Sequence, residues 1–126
     1  MLLDTHILLW FLNDDSKFTT SLKARIEAEQ NIYVSISSLW EIAIKLNIQK
    51  LNLQYPFAEL EKLLEEQNIQ IISISLTDLE AYRQLPLYHR DSFNRLIISQ
   101  AKNHGYSLVS QDTNFELYDV ELIQMD

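Results

Sequence analysis

The chain has 126 residues, 47% of them hydrophobic and 22% charged, and a formal net charge of −8. That is enough chain for a core of its own, so a single domain over 1–126 is expected, with the composition of an ordinary soluble globular protein. The lack of cysteine excludes disulfides, thiolate metal sites and a cysteine nucleophile, so any metal must be held by oxygen or imidazole ligands.

The first apolar run, Met1-Leu2-Leu3, stops at Asp4. Read as a strand, it places that carboxylate at the carboxyl end, where open α/β sheets bind ligands. Ile7, Leu8, Trp10 and Phe11 have the spacing of a short helix, and residues 13–16 form a loop. A charged helix is expected over about 21–30, and a β-branched strand over 32–36. Ser37 and Ser38 are expected to cap a helix over 39–46. Pro56 should open another, with Leu60, Leu63 and Leu64 on its buried face. A strand follows over 69–74. Thr77-Asp78-Leu79-Glu80 has capping-box spacing for a short helix that stops before Pro86. The next helix starts near Asp91 and ends at Gly105, the sole glycine, with strands over 106–110 and 120–123 after it. Strands alternating with helices predict an α/β fold, a mostly parallel sheet with helices on both faces.

No apolar run is long enough to span a membrane, and no signal-peptide layout opens the chain, so a cytoplasmic protein is expected. The acidity argues against a passive nucleic-acid-binding module, which shows a basic face. It leaves room for a nuclease, because carboxylates crowded into a metal site raise the negative count. A basic protein partner and a solvated acidic surface are the other readings.

Four acidic residues fall where such a fold gathers side chains: Asp4, Glu41, Asp91 and Asp112. Each has a structural reading as well. Ser38-Leu39-Trp40-Glu41 is itself a capping-box pattern, Asp91 and Asp4 suit helix N-caps, and Asp112 suits a turn. Together at one rim they suit a hard divalent ion, which prefers carboxylate oxygens. Such an ion relieves their mutual repulsion and can activate water for attack at phosphorus.

Four blocks carry a resemblance: Leu2-Leu3-Asp4-Thr5-His6, the segment 38–45, the segment 85–101, and Leu108-Val109-Ser110-Gln111-Asp112. In order and spacing they resemble PIN-domain ribonucleases, and within these the VapC-like toxins of type II toxin–antitoxin systems. The resemblance implies a three-layer α/β/α sandwich and a Mg²⁺- or Mn²⁺-dependent RNA endonuclease. It also implies a homodimer and a cognate antitoxin. It assigns catalytic roles to Asp4, Glu41, Asp91 and Asp112. Metal contacts fall to Asp4, Asp91, Asn94 and Asp112, and Ser110 is a hydroxyl that orients the first aspartate. The chain departs from the pattern at Asp91-Ser92-Phe93-Asn94-Arg95, where Asn94 stands in place of a second aspartate. An amide can offer a carbonyl oxygen but no charge. A catalytically impaired domain that binds an antitoxin or RNA is therefore the alternative.

Lys45, four residues after Glu41, and Arg95, four after Asp91, allow either an ion pair on one helix face or a contact to RNA phosphate. His89 and Arg90 allow the phosphate contact or an exposed loop. His6 is expected to be packed or hydrogen-bonded, and Trp10 and Trp40 to pack in a core or a dimer interface. Two other acidic-rim classes fit less well. A dehalogenase-type phosphatase needs an aspartate where His6 stands. A phosphoacceptor receiver domain needs an acidic pair beside Asp4 and an aspartate closing the strand over 69–74.

Overall fold

Leu2–Leu3 (β1) lies at the centre of a five-stranded sheet, between β2 (Ile32–Ser35) and β4 (Leu108–Val109). β3 (Ile69–Ile72) and β5 (Leu122–Ile123) form the edges, and every pairing is parallel. The computed structural model describes residues 1–88 and 90–123. The helices between these strands are α1 (Thr5–Leu12), α2 (Thr20–Glu27), α3 (Ile36–Asn47), α4 (Leu60–Glu66), α5 (Leu76–Arg83) and α6 (Ser92–His104). Short 3-10 turns at Phe57–Glu59 and Thr113–Leu117 complete the described elements.

β1 shows why both faces must be covered. Leu3 and its register partner Val109 face a core built with Ile7, Leu8, Ile42 and Leu64. Leu2 and its partner Leu108 face a second core, with Ile97, Ile98 and Phe115. Alternate residues of a strand point to opposite faces, so two apolar neighbours need a helical layer on each side. The α/β architecture with helices on both faces matches the expectation from the alternating pattern.

The order β3-β2-β1-β4-β5 has one consequence for function. From β1 the chain builds outward through β2 to β3, then crosses back to lay β4 on the other side. Between β1 and β4 lies the switch point, where the loops diverge and leave a crevice at the strands' carboxyl ends.

Local boundaries differ from expectation where several hydroxyls compete. α3 begins at Ile36, not Leu39, and its N-cap is Ser35, whose Oγ accepts from the Ser37 N–H at 3.1 Å. The capping box at α5 joins Ser75 to Asp78, so the Thr77–Glu80 pattern is displaced by two residues. Asp91 caps α6 as expected, and Gly105 closes it with φ of 71°, a backbone conformation in which a glycine carries no Cβ penalty.

Candidate active site

Asp4 ends β1 and caps α1 with the same side chain. Its Oδ1 accepts from the Ile7 N–H at 2.8 Å, and its Oδ2 accepts from Ser110 Oγ at 2.5 Å. Ser110 follows β4 directly and is fully buried. Its oxygen also accepts from the Asp112 N–H at 3.0 Å. One hydroxyl thus joins the carboxylate ending β1 to the backbone of the aspartate beyond β4. Asp112 begins the 3-10 turn, its Oδ1 accepting from the Asn114 N–H at 2.9 Å.

This junction stands at the switch point. Asp4 and Asp112 share a cleft with His6, Trp10 and Gln111. Asp4 is only 2% exposed. Burial lifts its carboxyl above the ordinary aspartate range; the hydrogen bonds from Ser110 and Ile7 and the nearby His6 oppose this, while Asp112 adds to it. His6 is exposed on the cleft wall rather than packed, because the first turn of α1 turns it away from both cores.

The other acidic positions are tied to this junction through contacts between helices. Thr5 Oγ1 donates to Ser38 Oγ at 2.9 Å, a buried bond that pins the start of α1 to α3. Ser38 is therefore engaged with Thr5 and does not cap a helix with Glu41. Glu41 is the sixth residue of α3, in its second turn rather than its first, buried and paired with Lys45 Nζ at 3.0 Å. Next to it, the Trp40 ring meets the Phe93 ring edge to face at 5.0 Å, which sets α3 against the first turn of α6. Asp91 and Asn94 lie in that turn, with the Asn94 N–H donating to Asp91 Oδ1 at 3.0 Å.

The structure therefore brings Asp4, Ser110 and Asp112 together directly. Glu41 stands on α3, and Asp91 and Asn94 at the start of α6, on the helices that the Thr5–Ser38 and Trp40–Phe93 contacts set beside them. Among the described residues, no three histidine, aspartate or glutamate side chains stand together as a set ready to hold a metal ion. The donors present still fit a hard divalent cation. Asp4 is a buried carboxylate, its two oxygens oriented by the Ile7 N–H and Ser110, Asp112 shares its cleft, and oxygen is the available donor.

Arg95 needs correction. It is 7% exposed and turned inward, donating to the carbonyls of Pro86 at 3.0 Å and Leu85 at 3.5 Å, with its guanidinium 4.9 Å from the Tyr82 ring centroid. It braces the segment before α6 and lacks the exposure that a phosphate contact needs. Arg90 is exposed, and His89 lies outside the described residues. Trp40 is 57% exposed, so it does not belong to the monomer's core.

Sequence reasoning missed the Thr5–Ser38 bond and Gln111 as a cleft residue. Nothing local marks either. The four-residue spacing of His6 and Trp10 was a readable sign that both face one way.

A model of the PIN domain family matches residues 1–121. Among solved structures, the chain resembles the crystal structure of VapBC2 from Rickettsia felis bound to a DNA fragment from their promoter. That match has TM-score 0.75 and 20% identity, and covers 99% of this chain and 98% of that one. FitAcB from Neisseria gonorrhoeae matches with TM-score 0.68 and 20% identity over 96% of this chain and 94% of that one. A toxin–antitoxin complex from Klebsiella pneumoniae matches with TM-score 0.64 and 18% identity over 97% and 94%. At such identities the likeness is one of fold. No curated protein matches in sequence.

Proposed function

The chain belongs to the PIN domain family, and from that premise we propose that it is a Mg²⁺- or Mn²⁺-dependent RNA endonuclease, the toxin of a toxin–antitoxin pair, formed by 1–126 as one domain. The observation that carries this reading is the Ser110 hydroxyl joining Asp4 to Asp112 at the switch point of the sheet. Asp4 and Asp112 are the residues that would hold the ion, with Glu41, Asp91 and Asn94 completing the surroundings. A bound divalent ion supplies an activated water and polarises a phosphoryl oxygen.

The chain's own residues do the positioning. Ser110 and the Ile7 N–H fix the two oxygens of Asp4, so the carboxylate is oriented before any ligand arrives. The Thr5–Ser38 bond and the Trp40–Phe93 contact hold α3 and α6 beside it. Arg90 is exposed ahead of Asp91 and is suited to an RNA phosphate; Lys45 is part-exposed and paired with Glu41.

Two partners belong to this reading. A structure of the same fold comes from a toxin–antitoxin complex, which supports an antitoxin, and an acidic cleft suits one that inserts a basic side chain. A homodimer is supported by α3 and its C-cap, where Ile36, Trp40, Ile44 and Ile48 recur every four residues and are all exposed. No described helix is long and apolar enough to cross a membrane.

Asn94 favours a second reading, a PIN domain that binds antitoxin or RNA without cutting. Incubation of a mixed RNA pool with Mg²⁺ or Mn²⁺ separates the two. The endonuclease cleaves, and both EDTA and Asp4→Asn stop it; RNA left intact by the parent protein at every metal concentration supports the binding domain.

A further inference from the structure

The walls of the Asp4–Asp112 cleft carry chemistry that the carboxylates do not use. His6 and Trp10 are one helical turn apart on α1, and both line it, with Gln111 beside Asp112. Trp10 is half-buried and packs in part against the core behind it, so its indole is held in place. Lys17 Nζ lies over the face of the indole ring, 5.8 Å from its centre. An anchored aromatic ring with a cation over its face thus stands on the wall of the cleft that holds the acidic pair.

We propose that Trp10 is the shelf on which an unpaired nucleobase of the RNA stacks beside the cleavage site, displacing the flexible Lys17 side chain from the ring face onto a neighbouring phosphate. This deepens the endonuclease reading and rests on it. A ring face accepts any base, but only a base free of its duplex partners and neighbours, so the shelf selects single-stranded over paired RNA. Lys17 decides between RNA and a protein partner as the occupant. An arginine could also stack on an indole, but it would bring a second cation against Lys17, whereas a nucleotide brings an anion.

The test measures binding of a short fluorescein-labelled single-stranded RNA of mixed sequence, in an Asp4→Asn background that keeps the RNA intact. Trp10→Leu and Trp10→Phe both preserve apolar packing against the core, but only phenylalanine keeps a ring. The leucine variant should bind about tenfold more weakly, and the phenylalanine variant within about threefold of the parent. On an RNA of the same length with abasic sites, parent and both variants should bind alike. Equal binding of the leucine variant to intact RNA overturns the proposal, as does an equal loss on abasic RNA. A leucine variant that keeps RNA but loses an arginine-bearing peptide gives the ring to a protein partner and overturns it as well. A parent that neither binds nor cleaves RNA removes the endonuclease reading itself.

Discussion

Ser110 Oγ donates a 2.5 Å hydrogen bond to Asp4 Oδ2 across 106 positions of sequence, and accepts one from the Asp112 N–H at 3.0 Å. The bond exists because β1 and β4 are paired in parallel, Leu3 beside Val109, so that the next residues leave the sheet side by side. The expected effect of Ser110→Ala follows from that geometry. It takes the donor from a buried carboxylate oxygen and the acceptor from a backbone N–H. Unfolding in urea should show a loss of about 1–3 kcal/mol. Metal-dependent RNA cleavage should fall about 10- to 100-fold, as when a partner that orients a metal ligand is removed. Ser110→Thr keeps the hydroxyl and should retain most of both.

Asp4 makes stability depend on pH in a particular direction. Burial holds its carboxyl above the ordinary range, so the folded chain keeps the proton more tightly than the unfolded chain does. The stability due to that proton is complete below the ordinary aspartate pKa and is lost as pH rises through the raised folded value. Asp4→Asn carries no charge and still provides a good N-cap oxygen. In metal-free buffer its urea midpoint should gain on the parent's as pH rises from about 3.5 toward about 7. Adding Mn²⁺ at neutral pH should stabilise the parent and leave the variant unchanged. A midpoint difference independent of pH would count against the burial argument.

Asn94 is the third residue of α6, its backbone N–H already bound by Asp91. Negative charge in a first helical turn is favourable by about 0.3–1 kcal/mol. Asn94→Asp should therefore fold normally and raise cleavage about tenfold or more at limiting Mn²⁺, by adding a charged ligand group. An unchanged rate at every metal concentration would show that this position is remote from the ion.

The α3 stripe predicts association. Ile44 and Ile48 are exposed on the monomer, at 39% and 55%. Sedimentation should show a dimer for the parent and a monomer for Ile44→Asp with Ile48→Asp, with unchanged far-ultraviolet circular dichroism. A parent that sediments as a monomer at every concentration removes the homodimer.

The fold was legible because both faces of the sheet are buried. Such strands read as short apolar runs, and Leu2 and Leu3 point into different cores. Helix starts were less legible where hydroxyls crowd. Ser35, Ser37 and Ser38 can each cap α3, and the choice depends on where β2 ends; Ser38 was then drawn into a bond with Thr5 that no local pattern announces. Asp4 and Asp112 stood out as carboxylates after strands, whereas their connection depends on the β1–β4 register, which is a tertiary fact. The burial of Arg95 was hidden for the same reason. The carbonyls of Leu85 and Pro86 that receive it become visible only once that segment is folded against α6.

The central claim is that the cleft joining Asp4 to Asp112 holds a divalent ion, and Mn²⁺ titration followed by electron paramagnetic resonance measures this directly. The parent should remove free Mn²⁺ from solution saturably, and Asp4→Asn and Asp112→Asn, each still folded, should weaken that binding by about tenfold or more. Binding of equal strength in the parent and both variants would contradict the claim.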